Sequence, residues 1–157
     1  MIVTTRTGSS PTGTTLSYDT ERRLTGFSSA ATNSSASYAY DGEGQRVAQQ
    51  TTSGATTTIT DYLAGGLEEV TGGVLTKYYS IPGVGTALNV GGTLSYLVSD
   101  GLNSVTAALS ATGSVTSTQL YAPYGGVRYS SGVLPTAKGY TGQYADAVTG
   151  LDYYNAR

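Results

Sequence analysis

Tyr38-Ala39-Tyr40-Asp41-Gly42-Glu43-Gly44-Gln45-Arg46-Val47 decides how the rest of the chain is read. Tyr38 and Tyr40 fall on one face of a strand by its two-residue period, Asp41-Gly42-Glu43-Gly44 supplies turn chemistry, and Arg46-Val47 opens an outgoing strand. A lone hairpin of this kind is marginal in water. Copies stacked side by side form one continuous sheet, because each pairs its neighbour's edge and covers its neighbour's apolar face. Such copies recur along the sequence.

Upstream, Leu16-Ser17-Tyr18-Asp19-Thr20-Glu21-Arg22-Arg23-Leu24 repeats the aromatic-Asp strand end, the polar turn and the Arg-aliphatic restart. Residues 1–15 are rich in Thr, Ser and Gly, punctuated by Pro11 and Gly13, and read as a first edge strand or a linker. Downstream, a β-branched run, Thr56-Thr57-Thr58-Ile59-Thr60, leads to Asp61 at a spacing of roughly 20 residues and then to Ala64-Gly65-Gly66. Val74 to Ile81 is a further strand, stopped by Pro82. Leu94 to Val105 carries Asp100-Gly101, a strong hairpin signal. Tyr121-Ala122-Pro123-Tyr124-Gly125 turns the chain before Arg128 restarts pairing.

At 157 residues the chain is long enough for one domain with a sizeable core, so residues 1–157 are expected to form a single all-β unit. Its 22 Gly and 14 Tyr, with no Trp, Cys or His, favour strands and turns over helices. Only 11% of residues are charged and the net charge is -2, which argues against a nucleic-acid partner. No run approaches the roughly 18 apolar residues of a membrane span, and Met1-Ile2-Val3-Thr4-Thr5-Arg6 lacks the apolar core of a signal peptide.

These motifs resemble the rearrangement-hotspot (RHS) or YD-repeat family, named for Tyr-Asp pairs such as Tyr18-Asp19 and Tyr40-Asp41. Residues 94–157 are similar to the RHS-associated core. Leu97 to Val105, Tyr121 to Gly125, Gly139-Tyr140-Thr141-Gly142-Gln143, and Asp146 to Arg157 with Thr149-Gly150-Leu151 follow its four motifs in order. The resemblance implies a ribbon of antiparallel hairpins that spirals into a hollow shell in bacterial secreted or surface proteins, often around a toxin. About seven or eight units of roughly 20 residues give a strip or partial spiral, too short to enclose a toxin. The open sheet ends then suggest self-assembly into an extracellular filament or surface layer. A C-terminal piece of a larger toxin-encapsulating shell is the second reading, and a carbohydrate-binding module the third.

The family resemblance also implies an aspartate-based self-cleavage site, with an Arg-Asp pair ahead of Thr-Gly-Leu and a second Asp downstream. Asp146 matches the first Asp, but Ala145 stands at the Arg position and the downstream Asp-Pro segment is not in the sequence. Asp152 is a candidate partner, against the plainer reading of a turn residue plus a solvent-facing strand residue. Without His or Cys the common triads and most transition-metal sites are unavailable. Gly42-Glu43-Gly44 and Gly83-Val84-Gly85 read as turn glycines, and Asn33-Ser34-Ser35 as a loop. No enzyme activity and no cofactor are expected. Tyrosines repeated at strand ends suit either packing between hairpins, the commoner use, or stacking on glycans. Arg22, Arg46 and Arg128 are expected to meet turn aspartates of neighbouring repeats. The expected partners are therefore copies of the chain itself or further YD repeats.

Overall fold

The computed structural model describes residues 8–9, 13–82 and 85–155. The expectation for residues 1–15 falls mostly outside the described residues, as do Gly83-Val84 and the last two positions. Among the described residues, apart from three short 3-10 turns, every regular element is a β-strand. Among the described residues no helix is long and apolar enough to cross a membrane. Backbone contacts group the chain into two compact units.

The first unit holds β1 (Gly8–Ser9), β2 (Thr14–Tyr18), β3 (Leu24–Ser29), β4 (Ser34–Tyr40), β5 (Arg46–Ser53), β6 (Thr56–Leu63) and β7 (Glu68–Thr71). Each strand pairs antiparallel with the next in chain order. Register is set by alternation: on β4, Ala36 and Tyr38 are buried while Ser35 and Ser37 are exposed, so a one-residue slip would turn the tyrosine outward. The buried face is polar and aromatic. The Arg46 guanidinium lies over the rings of Tyr38 and Tyr62, at 5.8 and 4.6 Å from their centroids. Its Nη2 donates to the Tyr62 hydroxyl at 3.0 Å, which in turn donates to Gln49 Oε1 at 2.7 Å. A desolvated cation stacked on two rings gains about 2 kcal/mol or more.

The second unit holds β8 (Val74–Ile81), β9 (Gly85–Val90), β10 (Thr93–Ser99), β11 (Val105–Ser110), β12 (Val115–Tyr121), β13 (Val127–Ser131) and the hairpin pair β14 (Tyr144–Asp146) and β15 (Leu151–Tyr153). Strands β8 to β13 again pair in chain order. The core is largely aliphatic here: Leu88, Leu97, Val105 and Ala108 cluster with the Tyr78 ring, and Val90 and Leu134 pack against them. Leu134 lies on a return segment that leaves the sheet after β13. That segment crosses the core face, where Thr136 Oγ1 and the Tyr78 hydroxyl are 2.7 Å apart and Lys138 Nζ sits 3.9 Å from the Tyr78 ring centroid. The core therefore lies between one sheet face and a strap of chain.

Candidate functional site

The recurring feature with positional chemistry is the hairpin turn. Four turns share one construction, headed by Asp19, Asp41, Asp100 and Ser110. In each, the N–H of the heading residue donates to the carbonyl four residues on, and its own carbonyl accepts the N–H three residues on, at 2.8–3.2 Å. The heading side chain accepts two more backbone N–H groups. Asp19 Oδ1 takes those of Glu21 and Arg23 at 2.9 and 2.8 Å, Asp41 Oδ1 those of Glu43 and Gln45 at 3.0 and 2.8 Å, and Asp100 Oδ1 those of Leu102 and Ser104 at 2.9 and 2.8 Å. Ser110 Oγ holds Thr112 and Ser114 at 3.3 and 3.2 Å. The residue three positions after the head is left-handed in every case: Arg22 (φ 64°), Gly44 (φ 86°), Asn103 (φ 65°) and Gly113 (φ 84°). This is a turn closed by a bulge, and the strand register slips beside each one.

The carboxylate is suited to this place because it accepts two hydrogen bonds without needing a donor. Burial pushes the Asp19 carboxyl up. The Arg23 N–H, the Arg23 guanidinium and the Glu21 N–H outweigh it and hold the carboxyl below its usual range. Asp100 is also held low: burial is outweighed by the N–H groups of Ser104 and Leu102 and by the Ser104 side chain.

Tyrosine tethers one turn to the next. The Tyr40 hydroxyl, one residue before Asp41, donates to the Leu24 carbonyl at 2.7 Å, and the Tyr121 hydroxyl donates to the Val105 carbonyl at 3.0 Å. Arg23 adds a second tether, since its Nε meets Asp19 Oδ2 at 2.7 Å, its Nη1 reaches the Asp41 carbonyl at 3.3 Å, and its guanidinium lies 5.1 Å from the Tyr40 centroid. Around these two turns a polar cavity of about 280 Å³ opens, lined by residues including Glu21, Arg23, Tyr40, Glu43 and Asn155.

Several sequence-predicted residues stand elsewhere than expected. The arginine that answers Asp19 is Arg23 rather than Arg22, and it does so within its own turn; Arg22 occupies the left-handed position and is exposed. Arg46 stacks on tyrosines, and Arg128 is exposed on β13 with no aspartate partner among the described residues. Asp61 lies within β6, opposite Ala48 and Val70, so it heads no turn. The position equivalent to Asp19 and Asp41 is Leu63, preceded by Tyr62. Gly101 is not the left-handed residue of its turn; Asn103 is. In the turn after Tyr121, Ala122 replaces the aspartate: its backbone frame with Gly126 and Gly125 persists at 2.6 and 3.1 Å without a side-chain cap. Pro123 sits at the start of that turn, and Tyr124 (φ 70°) and Gly125 (φ 91°) are both left-handed.

The four ordered motifs of the C-terminal third meet in space. Val105 N–H donates to the Gly139 carbonyl at 3.0 Å, and Thr141 N–H to Ser104 Oγ at 3.1 Å. The Tyr121 and Tyr140 rings are 5.6 Å apart. Gly125 is required under Tyr140, since a Cβ there would lie 2.9 Å from the ring, and Gly142 crowds the Asn103 carbonyl. Thr141 Oγ1 reaches the Tyr154 hydroxyl at 2.8 Å, tying in the segment after Gly150-Leu151. Asp146 and Asp152 do not form a pair. Asp146 stands opposite Leu151 and Asp152 opposite Ala145, so the two carboxylates leave opposite faces of the β14–β15 hairpin. Asp146 is buried, and burial pushes the Asp152 carboxyl up. Among the described residues no cluster of three or more metal-binding side chains occurs.

The chain superposes on parts of much larger solved chains. It matches the crystal structure of TcdB2-TccC3 with a TM-score of 0.77 and 22% identity over 92% of this chain. TcdB2-TccC3-Cdc42 follows at 0.76 and 20% over 90%, and a Photorhabdus luminescens Tc holotoxin pore carrying TccC3-D651A at 0.73 and 20% over 91%. The fold is of the YD-repeat type. The chain spans 8% of the length of each of these solved chains. No family model matches the sequence, and no curated protein matches it.

At Tyr40-Asp41 the two residues divide the work: the aspartate closes its own turn and the tyrosine before it fastens that turn to the Asp19 turn. Sequence reasoning missed Ser110 as a turn head because it is not an aspartate, and it read the turns after Leu63 and at Ala122 from their Gly and Pro residues rather than from the repeat. The signal available was spacing, since Asp19, Asp41 and Leu63 are equally separated, as are Asp100 and Ala122.

Proposed function

We propose that this chain is a structural wall segment of a YD-repeat shell in a bacterial protein that acts outside the cell or at its surface. One observation carries the reading: more than nine-tenths of the chain superposes on a small stretch of a far larger solved chain, at a TM-score of 0.77. The turns supply the means, because each repeat ties backbone and side-chain groups to the next and leaves no catalytic pair among the carboxylates that the sequence singled out. The toxin context of the solved chains makes enclosure of a second polypeptide the role of the complete wall, and release outside the cell its setting. Residues 94–157 serve in this reading as the closing part of the wall.

Light scattering with negative-stain microscopy tests the proposal, on the purified chain and on the product of the whole reading frame that encodes it. Hollow particles from the complete product support a wall. Regular unbranched fibres assembled from the 157-residue chain alone would overturn it in favour of a filament.

A further inference from the structure

Three turns hand a group to a tyrosine of the following repeat. The Leu24 carbonyl receives the Tyr40 hydroxyl, the Arg46 guanidinium donates to the Tyr62 hydroxyl, and the Val105 carbonyl receives the Tyr121 hydroxyl. In each case the first residue opens the outgoing strand and the tyrosine follows 16 residues later, at the end of the adjacent strand. Register marks the opening residue, as in the pairs Tyr18↔Leu24, Tyr40↔Arg46 and Ser99↔Val105.

The pair Tyr121↔Val127 puts Val127 in that same position at the start of β13. Among the described residues no tyrosine hydroxyl donates to its carbonyl. The chain does not continue the ladder there: at Gly132 it passes so close to β12 that a Cβ would lie 2.5 Å from the Thr116 carbonyl, and Leu134 then packs on the core. Arg128 follows Val127 and is exposed, one residue beyond the register position that Arg46 holds at the start of β5. All five residues of β13 are exposed, Val127 and Tyr129 at 57% and 53%. The strand carries no Pro, Lys or acidic residue to discourage pairing.

We infer that β13 docks a strand of another YD-type hairpin, one with a tyrosine immediately before its turn, whose hydroxyl donates to the Val127 carbonyl. The inference rests on the wall reading and names the partner of its edge. Continuity of the ladder beyond β12 and the repeated tyrosine tether select this occupant over a generic extended peptide.

The test uses the whole protein and a backbone-cyclised peptide with the sequence of residues 34–53, which presents Tyr40-Asp41 in its own hairpin. Hydrogen exchange at β13 and peptide affinity are both read. The expected result is slowed exchange at β13 on peptide addition, with about five-fold weaker binding of the Tyr40→Phe peptide. Absence of β13 protection at millimolar peptide overturns the inference, as does equal binding of the Tyr40→Phe peptide. Protection that grows with protein concentration alone would identify a second copy as the occupant and likewise overturn it. Hollow particles combined with a silent peptide would sink only the docking edge, whereas fibres would sink the wall reading whatever the peptide does.

Discussion

Removing the Tyr121 hydroxyl tests the tether in its most informative setting. Tyr121→Phe keeps the ring against Tyr140 and deletes one oxygen that serves two partners: it donates to the Val105 carbonyl at 3.0 Å and accepts from Gln119 Nε2 at 2.9 Å. Val105 belongs to the core cluster, so its carbonyl has little water to turn to, while the half-buried Gln119 amide recovers part of its bonding from solvent. One net hydrogen bond at about 0.5–1.5 kcal/mol, plus the partial desolvation penalty of the orphaned carbonyl, gives a loss of about 1–2 kcal/mol. For a chain of this size that is a fall in melting temperature of about 3–6 °C. The assay is urea unfolding followed by circular dichroism, with Tyr129→Phe as the control. Tyr129 lies exposed on β13, and its loss should stay within about 0.5 kcal/mol. Equal, near-zero effects of the two substitutions would refute the tether: the tyrosine before the turn would then act through its ring alone.

Other outcomes follow from the same geometry. Leu88→Ala should cost about 2–5 kcal/mol in urea unfolding, because Leu88 is fully buried in the aliphatic cluster and its neighbours span several strands. Arg22→Gly should stabilise by about 0.5–1 kcal/mol, since an exposed left-handed residue gains more from losing its Cβ than the unfolded chain gains in freedom; calorimetry that found a loss would place an undetected contact on Arg22. Asp19 and Asp100 are held low in the folded state, so the unfolded chain binds protons more readily, and their stabilisation is present above the ordinary carboxylate range and lost as pH falls through their depressed values. Asp152 is raised and works in the opposite sense, its contribution fading as pH rises through its elevated value. Melting temperature followed from neutral to acid pH should therefore fall less steeply in Asp100→Asn than in the parent.

Strands and turns were legible because they are written locally. Alternation at Ala36 and Tyr38 fixes a face within a few residues, and Asp41 to Gly44 carry the whole chemistry of their turn. The same locality misled at Asp61, an aspartate at nearly the right spacing on a solvent-facing strand position, two residues before Leu63, which ends β6. Arg22 and Arg23 are indistinguishable by type, and only the left-handed backbone decides which side chain reaches Asp19. The meeting of Gly139 with Val105, and of Leu134 with the core, lies between segments far apart in sequence, where no periodicity points. Opposite faces for Asp146 and Asp152 followed only from the register of a three-residue pair.

The strap that crosses the second unit has a kinetic consequence. Tethers between successive hairpins close loops of 16 residues, whereas the bond between Tyr78 and Thr136 spans 58. Loop-closure entropy rises by about 0.6 kcal/mol for each doubling of length, so the hairpins zip in sequence before the strap finds its seat. Refolding of this unit should then proceed in two stages, an early burst of strand signal and a slower burial of the Tyr78 ring as the strap arrives.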